Sequence, residues 1–112
     1  MSCATVVPDL HTHQPIPPDG IISRTLYRDE RVKCVLFGFD TGQELSEHTT
    51  SMPAILQVVT GQATLTLGSE SVEAGPGAWV VMPAGLTHAV VAHTPVVLLL
   101  TLIRDRSTGV AA

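Results

Sequence analysis

From Ile21 onward the chain is built of short runs rich in Val, Ile, Leu and Thr, separated by clusters of Gly, Pro, Asp and Ser. That is the pattern of strands joined by tight turns. It predicts strands at Ile21–Tyr27, Val32–Phe39, Glu44–His48, Ala54–Thr60, Ala63–Leu67, Glu70–Ala74, Ala78–Met82, His88–Ala92 and Val96–Ile103. The breaks fall at Asp29-Glu30, Asp40-Thr41-Gly42, Gly61-Gln62, Gly68-Ser69, Gly75-Pro76-Gly77, Pro83-Ala84-Gly85 and Thr94-Pro95. Gly61 and Gly68-Ser69 are expected to close hairpins. No segment keeps a helical period over three turns. The expected class is all-β, a sandwich or a closed barrel.

Two runs, Val32–Phe39 and Val96–Leu102, are apolar on both faces. A strand with one face on a core and one in water needs only alternate apolar residues. The surplus calls for a cover on the outer face, and a homodimer is the expected one. The alternative cover is the chain's own N-terminus. Four of the eight prolines lie before Gly20, so residues 1–20 read as an extended arm and residues 21–112 as one barrel domain.

A chain of 112 residues is a natural single domain. Its net charge of −4, with the few basic residues unclustered, argues against nucleic acid and anionic membranes as partners. Tyr27, Phe37, Phe39 and Trp79 are the only aromatic residues, too few for a base- or sugar-stacking platform. Cys3 and Cys34 read as free thiols of a reducing compartment, Cys34 within the core. With no basic leader before an apolar stretch, and no apolar run long enough to span a bilayer, a cytoplasmic protein is expected.

The candidate chemistry lies in two segments, Gly42–Thr50 leading on to Gly61, and Gly77–His88. Alternation across a strand puts His48 and Thr50 on one face, Ala54, Leu56 and Val58 on another shared face, and His88, Val90 and Ala92 on a third. The Pro83-Ala84-Gly85 turn launches His88 at the start of a strand. Two imidazoles from distant segments then meet in a barrel mouth, within a pocket lined by Thr50, Ala54, Leu56, Val58, Leu65, Leu67 and Val90. Gln57 falls out of phase with Ala54 and needs a bulge to join; His93 is likewise out of phase with His88. His11 and His13, spaced as a one-face pair on an extended arm, are further auxiliary candidates, though solvated arm residues are the plainer reading. Glu44, Glu47 and Asp29-Glu30-Arg31 read as solvated, and Trp79 as a packing or interface residue.

In these two segments the chain resembles the cupin superfamily, over about residues 36–103. The first cupin motif runs Gly, five residues, His, one residue, His, three or four residues, Glu, six residues, Gly. Gly42, His48 and Gly61 match, while Thr50 stands for the second His and Ala54 for the Glu. The second motif runs Gly, five residues, Pro, one residue, Gly, two residues, His, three residues, Asn. Gly77, Pro83, Gly85 and His88 match, and Ala92 replaces the Asn. The resemblance implies a jelly-roll barrel, also described as a double-stranded β-helix, of the RmlC-like kind. It also implies one divalent metal (Zn, Fe, Ni or Mn) on three His and one Glu, of which this chain keeps His48 and His88.

Three functions compete. The first is a metal-dependent dioxygenase, isomerase or decarboxylase acting on a small organic acid, with the metal as Lewis acid or oxygen activator. The second is a non-catalytic, small-ligand-binding or sensory cupin, favoured by the missing carboxylate and the scarcity of other acid–base groups. The third is a scaffold that dimerises through its two-sided apolar strands.

Overall fold

The structure, a computed structural model, describes residues 3–104. Residues 1–2 of the expected arm and 105–112 of the expected barrel domain lie outside the described residues. The strands are β1 (Ile21–Arg28), β2 (Val32–Phe39), β3 (Glu44–His48), β4 (Ala54–Thr60), β5 (Ala63–Leu67), β6 (Glu70–Ala74), β7 (Trp79–Met82), β8 (His88–Ala92) and β9 (Val96–Ile103). They follow the predicted runs, with β1 one residue longer and β7 one residue shorter. One element departs from the sequence reading. Leu10–His13 form a single helical turn, α1, whose first turn is capped by the Asp9 carboxylate accepting from the His11 N–H at 3.0 Å.

The strands make two antiparallel sheets, a five-stranded one in the order β1-β2-β9-β4-β7 and a four-stranded one in the order β3-β8-β5-β6. The chain crosses between them at nearly every turn from β2 onward, which is a jelly-roll winding. Gly68 closes the β5–β6 hairpin, as expected. Gly61 does not close a hairpin, because β4 and β5 belong to different sheets. It turns the chain from one sheet to the other at φ 93°, and a Cβ there would run into the Pro95 carbonyl.

The core lies between the sheets. Phe39, Leu56, Val58, Leu98 and Leu100 from one sheet pack against Leu65, Val90 and Ala92 from the other. Each such side chain contributes about 1.5–3 kcal/mol of transfer free energy.

The outer face of the larger sheet is the surplus apolar surface. Leu36 and Val97 are fully buried yet stand outside the inter-sheet core. The arm lies over this face. Gln14, Pro15 and Ile16 pack on Gly38. The Gln14 Nε2 donates to the Ile22 carbonyl at 3.3 Å, an Arg24 Nη2 donates to the His13 carbonyl at 2.6 Å, and the Asp19 N–H donates to the Asp40 carboxylate at 2.7 Å. Cys34 is half-buried on this outer face, not in the core. With Cys3 and Leu99 it lines a groove of about 480 Å³ beneath residues 3–7. At the sheet's edge the arm's cover stops, and Trp79 and Val81 on β7 remain 60% and 55% exposed.

Candidate functional site

His48 ends β3 and His88 begins β8, and the two are direct partners across that antiparallel pair. A register shift between Leu45 and His48 turns the end of β3 so that the rings meet. Their centroids are 4.1 Å apart, with planes tilted by 59°. The turn before His88 is set as the sequence suggests. The Leu86 N–H donates to the Pro83 carbonyl at 3.2 Å, Gly85 takes φ 82°, and its N–H donates to the Thr50 carbonyl at 2.8 Å. That last bond ties the β7–β8 loop to the β3–β4 loop and so fixes both histidines to one rim.

The tautomer of both rings follows from their partners. The His48 Nδ1 lies 2.8 Å from the Ser46 carbonyl and the His88 Nδ1 lies 3.0 Å from the Leu86 carbonyl. A carbonyl oxygen only accepts, so each Nδ1 carries a proton, and in the neutral ring each Nε2 presents a lone pair. His88 is only 4% exposed, and its unbonded Nε2 is not fully sealed.

The other expected site residues separate into three groups. Ala54, Leu56, Val58, Leu65 and Val90 face inward and are packed in the core, while Thr50 and Leu67 are half-buried near the rim. Leu67 pairs directly with His88, and the Thr50 hydroxyl donates to the Met52 carbonyl at 2.8 Å. The auxiliary candidates do not join the pair. Gln57 pairs with Trp79 and Leu99, and the β4 register shift comes only after Val58, so nothing turns it inward. His93 lies on the outer surface, in a cluster with Thr64 and Glu73. His11 and His13 are exposed on α1. The helical turn also removes the one-face relation an extended arm would give them, since residues two apart on a helix diverge.

Residues 35–102 match the family model described as a cupin domain. The chain belongs to the cupin family. A conserved Streptococcus pyogenes protein of unknown function shares 30% identity with this cupin over 95% of this chain and 92% of its own, with a TM-score of 0.81. A cupin superfamily protein from Desulfitobacterium hafniense shares 22% identity, covering 86% of this chain and 88% of its own, at a TM-score of 0.81. The protein TT1209 from Thermus thermophilus shares 22% identity over 88% and 98% of the two chains, at a TM-score of 0.78. No curated protein matches the chain.

Cupins commonly hold a metal, and the donor set of this one meets that role only in part. Two imidazoles oriented by backbone carbonyls, each with a bare Nε2, are donors of the type that borderline divalent ions take. The number falls short. No group of three or more His, Cys, Asp or Glu comes together among the described residues, whereas enclosed catalytic sites use at least three protein ligands. Thr50 and Ala54 supply neither the imidazole nor the carboxylate of the motif. The residues present do not fit a three-His, one-Glu centre.

The sequence reading passed over one polar residue at this end of the sandwich. Lys33 pairs with Leu102, which is buried in the core, so both side chains stand on the inward face of their sheet. Its signal in the sequence is a polar residue in phase with Phe37 and Phe39 on an otherwise apolar strand.

Proposed function

We propose that this cupin binds a small organic ligand at the barrel mouth, with His48 and His88 as the polar anchor and half-buried apolar residues such as Leu67 as the wall. The observation that carries the reading is the pair of bare Nε2 lone pairs, held 4.1 Å apart at the ring centroids by Nδ1 bonds to the main chain. Binding pockets combine an apolar lining with a few fixed polar groups, and this rim has both. The reaction, where there is one, is unassigned: beyond the imidazoles the rim offers no acid–base group of the motif.

A second reading is favoured by the tautomers themselves. A divalent ion, Zn, Fe, Ni or Mn, held weakly by His48 and His88 and completed by water or the organic ligand, would use the same lone pairs. Titration of the purified protein with Zn or Ni separates the two. Saturable metal binding that disappears in the His48→Ala/His88→Ala variant supports the second reading. Ligand-induced rises in melting temperature in metal-free protein, lost in the same variant, support the first. Ligand shifts that persist in the double variant overturn both.

The homodimer and the cytoplasmic location expected from the sequence stand as proposals too. The arm takes much of the outer face of β2 and β9 that suggested a dimer, while Trp79 and Val81 stand exposed on β7 at the edge of the same sheet.

A further inference from the structure

The geometry points to Lys33 as the specificity-determining residue of the His48–His88 mouth, selecting a ligand that carries a carboxylate next to hydroxyl groups. This inference rests on the mouth being a ligand site.

Strand connectivity brings Lys33 there. β2 and β3 lie in different sheets and are joined by the short turn 40–43, so the start of β2 and the end of β3 share one end of the sandwich. That places Lys33 with His48. β8 and β9 are joined in the same way by residues 93–95, which places His88 with Leu102. Within the sheets Lys33 pairs with Leu102, and His48 with His88. The four residues therefore lie as corners at one end of the sandwich, Lys33 and Leu102 on one sheet and the two histidines on the other.

The chemistry of these corners is complementary. Lys33 is the only lysine of the chain; its partner across β1 is the exposed Arg28, and no Lys or Arg lies between Lys33 and Arg104. It is half-buried, and among the described residues its ammonium makes no ion pair or hydrogen bond. An ammonium in that position, on a long stem laid over apolar surface, can deliver its charge to the rim. The imidazoles opposite accept through Nε2 and so take O–H donors. A carboxylate alone pairs only with the lysine, and a neutral polyol gives the histidines their donors but leaves the ammonium charge unpaired. A small hydroxycarboxylate satisfies both.

The test uses the full chain, stripped of metal by a chelator, with gluconate, glucitol and propionate as probes. Binding is read by titration calorimetry and by the His48 and His88 imidazole resonances. Gluconate is expected to bind and move both sets of resonances, with glucitol and propionate clearly weaker. Lys33→Met, which keeps the apolar stem, is expected to lose gluconate affinity by roughly ten- to a hundredfold, the range for a hydrogen bond to a charged group. Lys33→Arg is expected to recover most of it. Should Lys33→Met fold poorly, the gluconate–glucitol difference on the unaltered protein and the Lys33→Arg variant still decide the matter. Equal binding of gluconate and glucitol, or unaltered gluconate binding by Lys33→Met, overturns the role of Lys33 while the imidazole shifts keep the mouth as a ligand site. If neither these probes nor a wider set of small sugars, acids and amines moves the imidazole resonances, the mouth fails as a ligand site and the inference falls with it.

Discussion

Gly38 and Pro15 stand so close that a Cβ built on Gly38 would lie 2.6 Å from the Pro15 carbonyl oxygen. The arm is therefore seated on β2 through a position where only glycine fits. The neighbouring Gln14 is 4% exposed, and its Oε1 finds no partner, so this seat is tight and slightly strained in its polar accounting.

Gly38→Ala should force the arm off the sheet or shift β2, at a cost of about 1–3 kcal/mol. Chemical denaturation measures the loss, and faster amide exchange at Ile16 and Ile22 would locate it. An unchanged midpoint with unchanged exchange would show that the arm does not rest on β2.

Restoring the two absent ligands should create a metal centre. Thr50→His with Ala54→Glu adds an imidazole and a carboxylate beside His48 and His88. The variant is expected to retain about one equivalent of Zn or Ni through desalting, where the parent retains far less, since four protein donors hold such ions tightly. Ala54 is buried between Met82 and Leu102, so the metal-free variant should melt below the parent, because an unpaired buried carboxyl is costly. Elemental analysis and melting curves with and without metal check both halves.

The arm's second anchor gives a pH dependence. The Asp19 N–H and then the Thr41 N–H hold the Asp40 carboxyl below its ordinary value of 3.8. A carboxyl whose folded value is depressed stabilises the fold fully above its unfolded value and loses that contribution as pH falls through the lower, folded value. Exchange of the Asp19 amide should therefore stay slow down to about pH 4 and lose protection below it. In Asp40→Asn that acid-dependent step should be absent. A step that survives in the variant would assign it to another group.

For the dimer proposal, Trp79→Arg paired with Val81→Lys should leave melting temperature nearly unchanged, because both side chains are largely exposed. It should shift the protein to a monomer in sedimentation velocity if a second copy docks on the β7 face. A parent that is already monomeric, or a dimer untouched by the variant, removes that surface from consideration.

Much of this was legible in the chain. Period-two patterning with glycine and proline punctuation gives strand positions to within a residue, because side chains alternate across each strand of the jelly roll. The helical turn at Leu10–His13 was not legible: a single turn is too short to show a period and depends on the Asp9 cap and on packing. The role of Gly61 was misjudged for a related reason. A glycine turn looks the same whether it joins partners in one sheet or strands in two.

The candidate site divides along the same line. His48 and His88 stand out in the sequence because the motif spacing singles them out, and Thr50 and Ala54 declare the missing ligands. The pockets assigned to Leu56, Val58, Leu65 and Val90 could not be told from core, since alternation shows which face a residue takes and not how completely that face is filled.

By itself the sequence determined an all-β domain, its strand order along the chain and the two histidines, because local periodicity and spacing carry that information. Only the tertiary structure decided that the arm covers the outer face of the larger sheet, that backbone carbonyls hold both Nδ1 atoms, and that Lys33 stands beside Leu102 on the inward face of its sheet. Each of these depends on strands meeting across sheets, and sheet pairing is set by the packing of distant segments rather than by any one of them.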